Sequence, residues 1–269
     1  MIGAAVAKAA PRPLSTQMPL MTALMLGLGL IAVVWAGFDT RLFAAVPVWV
    51  KPLKFALSLA VYYATLAVVI AHLSVAAQRS WQLRLAAVLA IVPGLFEIIY
   101  IFLMAGRGEA SHFNDSAPIF AVLYSLMGIG ALLLMVAVGL IGLLVRRDQG
   151  GRFSPGLRLG ISVGFIVSTL LTLVIGFTLG GNGGHFVGVP LPGAPALPLV
   201  GWSGSVGDLR APHFFGLHAM QAGPVLGWLA ARLAARSVAA WVLGGLALYG
   251  MATLALFAQA LAGLPVIAL

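Results

Sequence analysis

Apolar residues run through this chain with few interruptions, and seven of the runs are long enough to cross a hydrocarbon layer as helices. They span about 18–38, 55–75, 85–105, 117–145, 159–179, 212–232 and 237–265. Short clusters of charge separate them. The pattern predicts an all-α, polytopic integral membrane protein, a single transmembrane domain built as a bundle of about seven helices, with a long loop over 180–211. The stretch from 43 to 54 reads as a re-entrant or interfacial piece leading into the second span. The first run follows a basic tail holding Lys8 and Arg12, as a signal peptide would. It lacks a clean small-x-small cleavage site, so the expectation is an uncleaved first helix.

Composition narrows the class. With 62% hydrophobic and 8% charged residues and a mean hydropathy of +1.10, a water-soluble fold is excluded. Cysteine is absent, which removes thiolate metal ligands, iron–sulfur clusters, disulfides and cysteine nucleophiles from consideration. The 33 glycines suit close helix packing in lipid.

A net charge of +9 raises the question of a nucleic-acid partner, but the basic residues form no long block and lie at the ends of the spans. Seven spans place Lys8, Arg12, Arg79, Arg84, Arg146, Arg147, Arg152, Arg158, Arg232 and Arg236 on one side. Arg41, Lys51, Lys54, Arg107 and Arg210 fall on the other. Basic loops resist translocation, so the first side is read as cytoplasmic, with the N-terminus inside a cytoplasmic (inner) membrane and the C-terminus outside. Membrane lipid, not nucleic acid, is the expected partner. The acids lean the other way: Asp39, Glu97, Glu109, Asp115 and Asp208 belong to the outer half, and Asp148 alone is cytoplasmic. His112, His185, His213 and His218 are also outer, with His72 near the inner end of the second span. Groups capable of proton or metal chemistry therefore collect at one end.

Depth along a helix, at about 1.5 Å per residue, puts Glu97 and His218 at a similar level in the outer half. Lys54, Ser58 and Tyr62 repeat at helical spacing with Lys51 one turn outward. Tyr100 shares the face of Glu97, and Gln221 that of His218; Tyr124 and Gln259 come to rest at similar depth. The expectation is one polar layer. An ionisable group in an apolar core costs at least about 2.5–3.5 kcal/mol unless it finds a partner or water, which makes Glu97 the leading functional candidate and a pair of Glu97 with Lys54 or with a hydroxyl its structural alternative. Pro212 and Asp208 read as the start of the sixth helix. The segment Ser111–Ser116 reads as a helix-start turn that also carries His112 over the same cavity.

These residues support three functional classes. In the first, Glu97, His112 and His218 hold a transition metal (zinc, iron or copper) or a haem for membrane redox or hydrolytic chemistry on a lipophilic small-molecule substrate. Glu97 and His218 are then the catalytic candidates. Lys51, Lys54, Ser58, Tyr62, Tyr100, Tyr124, Gln221 and Arg210 line the cofactor site, the cations being available to pair with propionates. In the second class Glu97 serves a proton- or cation-coupled transporter or sensor. In the third the layer only fixes helix register in a non-catalytic scaffold. A retinal protein is excluded by the lysines, which are Lys8, Lys51 and Lys54 alone.

Overall fold

A computed structural model describes residues 14–190, 193–233 and 236–269. The basic tail with Lys8 and Arg12, and with it the expectation of an uncleaved first helix, rests partly outside the described residues. The architecture is an all-α, polytopic helical membrane bundle. Its long helices are α1 (Leu14–Trp35), α2 (Val50–His72), α4 (Trp81–Arg107), α5 (Pro118–Arg147), α6 (Pro155–Gly181), α7 (Arg210–Leu233) and α8 (Val238–Leu261). A single turn, α3 (Val75–Gln78), sits between α2 and α4.

Among the described residues, six of these helices are long and apolar enough to cross a membrane: all of the long ones except α7. The expected count of seven is corrected to six by that measure. The reason lies in the composition of α7, where Arg210, His213, His218, Gln221 and Arg232 dilute the apolar residues. Large apolar side chains such as Val68, Val92, Leu170, Phe177 and Leu248 stand exposed in mid-helix. Water would not tolerate such a continuous outer surface, and lipid requires it.

Local chemistry sets the ends of the helices. Ser80 and Ser154 accept hydrogen bonds from the backbone N–H groups of Leu83 and Leu157, capping α4 and α6. Proline occupies the first turn of α5 and α6, where its missing N–H costs nothing. Gly108 ends α4 in the left-handed conformation, φ 72°. Before α2, strands β1 (Leu42–Phe43) and β2 (Val46–Pro47) pair across Ala44 and Ala45, both with positive φ. Two such residues between antiparallel strands make a tight hairpin. The 43–54 segment is therefore a hairpin followed by helix, and Lys51 and Lys54 already lie within α2.

Neighbours in sequence are mostly neighbours in space: α1 lies on α2, α2 on α4, α4 on α5, α5 on α6, α6 on α7, and α8 on both α6 and α7. The tightest seam joins α6 to α7. A Cβ on Gly160 would strike the carbonyl of Gly223, and one on Gly156 would reach the carbonyl of Gly227. Backbone therefore meets backbone, the geometry that small residues permit between helices in lipid. Further along, Gly216 approaches Thr172 and Gly176 approaches His213, so α7 runs antiparallel to α6 along its whole length and traverses the same thickness. The main apolar core lies between α2, α4, α5 and α6, around Tyr63, Leu66, Ile98, Ile141 and Phe165.

Two ends of the bundle result. One gathers the start of α2, α5 and α7 and the close of α1, α4, α6 and α8. It is covered by the described parts of the chain between α6 and α7, 182–190 and 193–209, in which β3 (Phe186–Val187) pairs antiparallel with β4 (Gly207–Asp208). At the opposite end Asp148 accepts a 2.7 Å hydrogen bond from the Ser74 N–H, and Arg152 donates to the carbonyls of Ala71 and His72. The α5–α6 loop is thereby tied to the end of α2.

Candidate functional site

The polar groups at the covered end form three neighbouring clusters instead of one layer. In the first, Lys51 Nζ lies 3.1 Å from His112 Nδ1, and the Ser111 hydroxyl lies 3.2 Å from the same nitrogen. Burial, aided by the Lys51 charge, pushes the His112 imidazole well below its ordinary range, so the ring is neutral and Nδ1 accepts from both donors. The remaining proton is on Nε2, a tautomer inferred from these donors. The ring packs against Phe55 and Tyr124, with centroids 5.5 and 5.9 Å away. Phe113 is held at a positive φ of 54°, while Asn114 accepts from Ser116 and donates to Ala110. The Ser111–Ser116 segment is a turn before α5 that delivers His112 to α2, but the expected capping is corrected: the residue before α5 is Ala117, with no side-chain cap, and Asn114 serves the Ser116 N–H inside the turn instead.

Glu97, on α4, is 5% exposed and faces α5 at Gly130, where a Cβ would sit 3.6 Å from its carboxylate. Among the described residues it makes no hydrogen bond and no ion pair. The charge that acts on it is that of Lys51. The expected structural pairing with Lys54 is corrected: Lys54 turns the other way and donates to the Val200 carbonyl at 3.0 Å.

The second cluster joins α7 to α2. His218 Nδ1 lies 3.1 Å from Gln221 Oε1, Gln221 Nε2 donates to the Thr65 hydroxyl at 2.9 Å, and that hydroxyl donates to the Val61 carbonyl at 2.8 Å. The amide oxygen can only accept, so His218 donates. Phe214 packs on the imidazole at 4.1 Å.

The third cluster closes the covering segment. Arg210 forms an ion pair of 2.6 Å with the fully buried Asp208 and also donates to the Gly201 carbonyl. Asp208 also accepts from the Arg210 N–H, the capping expected of it at the start of α7. Leu209 N–H donates to the His185 carbonyl, which sets His185 beside this pair. Burial, reinforced by the Arg210 charge, lowers the His185 imidazole to about 4.

Ion pairing at this end is local in sequence: Arg41–Asp39, Arg107–Glu109 and Arg210–Asp208 each join residues two apart. Among the described residues, Lys51 and Lys54 of the five basic residues expected there are left without a carboxylate contact, and Glu97 and Asp115 are the acids at this end without a cation contact.

Several expected lining residues lie elsewhere. Ser58 is exposed on α2. Tyr62 is buried and donates to the Leu134 carbonyl of α5, a tie between helices. Tyr100 lines an apolar groove of about 410 Å³ between α4 and α5, with Phe96, Leu103, Arg107 and Phe120. Among the described residues its buried hydroxyl has no hydrogen-bond partner, and it feels the Arg107 and Glu109 charges, not Glu97. Gln259 donates to the Pro265 carbonyl near the chain end. The proposed metal ligands do not assemble: no hydrogen bond or ion pair joins Glu97 to His112 or His218, and among the described residues no three His, Asp or Glu side chains form a group able to hold a metal. Each imidazole is committed to a neighbour, His112 to an ammonium and His218 to an amide. Thr65 and Ser111 are polar members of these clusters that sequence reasoning passed over. Their signals were there, since Thr65 continues the Tyr62 face by three residues and Ser111 adjoins His112. Compared with protein-family models, curated proteins and solved structures, the chain matches none.

Proposed function

We propose that the protein is a proton-coupled membrane carrier in which Glu97 binds and releases the proton. The observation that carries this reading is a carboxyl group buried among helices, without hydrogen bond or ion pair among the described residues, within the field of a lysine it does not touch. A charged carboxylate in an apolar layer is disfavoured, and a nearby ammonium favours it; a group held between such opposing terms is suited to changing its charge. A side chain locked in a structural pair is not. The Lys51–His112 hydrogen bond places the ammonium, and the Ser111–Ser116 turn places the imidazole.

Zinc, iron, copper or haem binding would require Glu97, His112 and His218 to converge and a cation to displace Lys51 from His112. Metal content and an absorption spectrum of the purified protein test that reading separately. In the proposed arrangement the arginine-rich end, with Arg79, Arg84, Arg146, Arg147, Arg152, Arg158, Arg232 and Arg236, is cytoplasmic in an inner membrane. The site then opens outward, with lipid around the bundle and a lipophilic small molecule as the transported class. Because the chain has no cysteine, a single Cys placed at Glu109 reports the side directly by labelling of intact cells.

Infrared pH titration of the protein in lipid tests the central claim. The expected result is a protonated-carboxyl band that comes and goes reversibly with pH and is missing from Glu97→Gln. Identical titrations of the two proteins would remove Glu97 from the role.

A further inference from the structure

We infer that the covered end binds an oxyanion, a carboxylate or phosphate group, between Lys51, Lys54, His185 and Arg210 above Glu97. Four segments of chain bring these groups together. Lys51 and Lys54 are one turn apart at the start of α2, whose N-terminus has no side-chain cap and so adds the positive end of the helix dipole to theirs. Lys54 and Arg210 hold consecutive carbonyls, Val200 and Gly201, which sets the two cations side by side. Arg210 stands 5.3 Å from the ring of Phe186, the residue after His185, and His185 lies within electrostatic reach of both Lys51 and Arg210.

The charge is not balanced. Three cations, Lys51, Lys54 and Arg210, share this region with two carboxylates, Asp208 and Glu97, and Asp208 is already consumed by Arg210. Lys51 meets only a neutral imidazole and Lys54 only a carbonyl. Two ammonium groups without carboxylate contacts among the described residues, Lys51 half-buried and Lys54 exposed, stand at an uncapped helix start and form a site for the oxygens of an anion. Lys51 is hydrogen-bonded to His112, whose remaining N–H is a further donor.

This inference names the second species that the proton reading requires and rests on that reading for its role in transport, but not for binding. Glu97→Gln removes the one unpaired carboxylate beneath the site, so it should retain anion binding or strengthen it while abolishing the carboxyl titration. The two readings can thus fail separately.

The test is isothermal titration of the detergent-purified full chain with inorganic phosphate and with decanoate, followed by competition with vesicles of phosphatidylcholine with and without phosphatidylglycerol. Saturable binding of phosphate or decanoate that weakens by about tenfold or more in Lys54→Met supports a soluble oxyanion as ligand. Displacement only by phosphatidylglycerol vesicles, with the same dependence on Lys54, supports the site with a lipid headgroup as its source. Lys54 is exposed and its loss leaves the bundle intact, whereas Lys51→Met is scored only where its melting matches wild type. Arg79→Met, at the opposite end, is the control that leaves binding unchanged. Absence of saturable binding by every probe, or binding undiminished in Lys54→Met, overturns the inference.

Discussion

The ammonium of Lys51 and the imidazole of His112 meet at 3.1 Å across two segments, the start of α2 and the turn before α5, and the imidazole nitrogen is the acceptor. A protonated histidine could not hold this position, because both groups would then be cationic donors. The arrangement needs a neutral ring, which burial and the lysine charge together enforce.

The first prediction concerns that ring. Nitrogen NMR of the protein in lipid should find His112 neutral, with the proton on Nε2, as the pH falls through the ordinary imidazole range near about 6.5. In Lys51→Met one of the two main causes is removed, so His112 should titrate at a higher pH than in wild type while burial still holds it below an exposed histidine. A wild-type His112 that is charged at neutral pH would contradict the geometry.

Acid should loosen the covered end. His112 and His185 both bind protons less readily when folded than when unfolded, His185 down to about 4. Over the interval from about 6.5 down to 4 the unfolded chain holds more protons, so stability is fully present above that interval and is lost as the pH falls through it. Asp39, kept well below the carboxylate range by hydrogen bonds from Arg41, stays charged throughout and adds nothing to this slope. Hydrogen exchange, corrected for intrinsic rates, should therefore show amides in 182–209 opening more readily toward acid. His185→Gln should flatten the part of that slope due to His185, and a slope of opposite sign would refute the account.

Tyr63 and Gly94 supply a third prediction. The Tyr63 hydroxyl donates to the Ala90 carbonyl at 2.8 Å, one turn before Gly94 and beside Pro93, and a Cβ on Gly94 would overlap that hydroxyl. Tyr63→Phe should cost about 1 kcal/mol for the lost hydrogen bond. Gly94→Ala should cost more, about 1–3 kcal/mol for overpacking against a fully buried ring. In the double variant the clash is relieved, so the two costs should add to less than their sum, by an amount read from a double-mutant cycle of melting in detergent. Simple additivity would mean that the two residues do not meet.

What the sequence discloses about this protein follows from what each signal encodes. Apolar length and flanking charge place the helices, and the observed elements agree with the predicted spans to within a few residues at most ends. Rotation about each helix axis is another matter. A helix apolar all round carries no polar stripe to say which side faces lipid and which faces protein, because both are apolar. Tyr100 illustrates the consequence: three residues from Glu97, it nonetheless lines a groove between α4 and α5 and feels the charges of Arg107 and Glu109 instead of Lys51. Lys51 and Lys54 were separable only once α2 was known to start at Val50, which sends one toward His112 and the other toward Val200. The three ion pairs, by contrast, join residues two apart and were readable as local turns. With those cations matched, Lys51, Lys54 and Glu97 stand out as the charges to explain.

The last prediction concerns the seam between α6 and α7. Glycine inside a helix is normally less favourable than alanine by about 0.5–1 kcal/mol, so replacing it should stabilise wherever there is room. Gly128, in the middle of α5, has nothing within 4 Å of where a Cβ would sit, and Gly128→Ala should raise the melting temperature in detergent slightly. At Gly160 the same methyl group would strike the Gly223 carbonyl, so α6 and α7 must separate or bend to admit it. Gly160→Ala should therefore destabilise, by about 1–3 kcal/mol, with the same sign for Gly223→Ala. The two sites receive an identical chemical change and should respond in opposite directions. Because α7 carries His218, Gln221 and Arg210, widening the seam should also displace the His218–Gln221–Thr65 chain. Cross-linking between Cys residues placed at Thr65 and Gln221 should then fall in Gly160→Ala and remain at the parent level in Gly128→Ala, and a stabilised Gly160→Ala would show that the helices do not touch there.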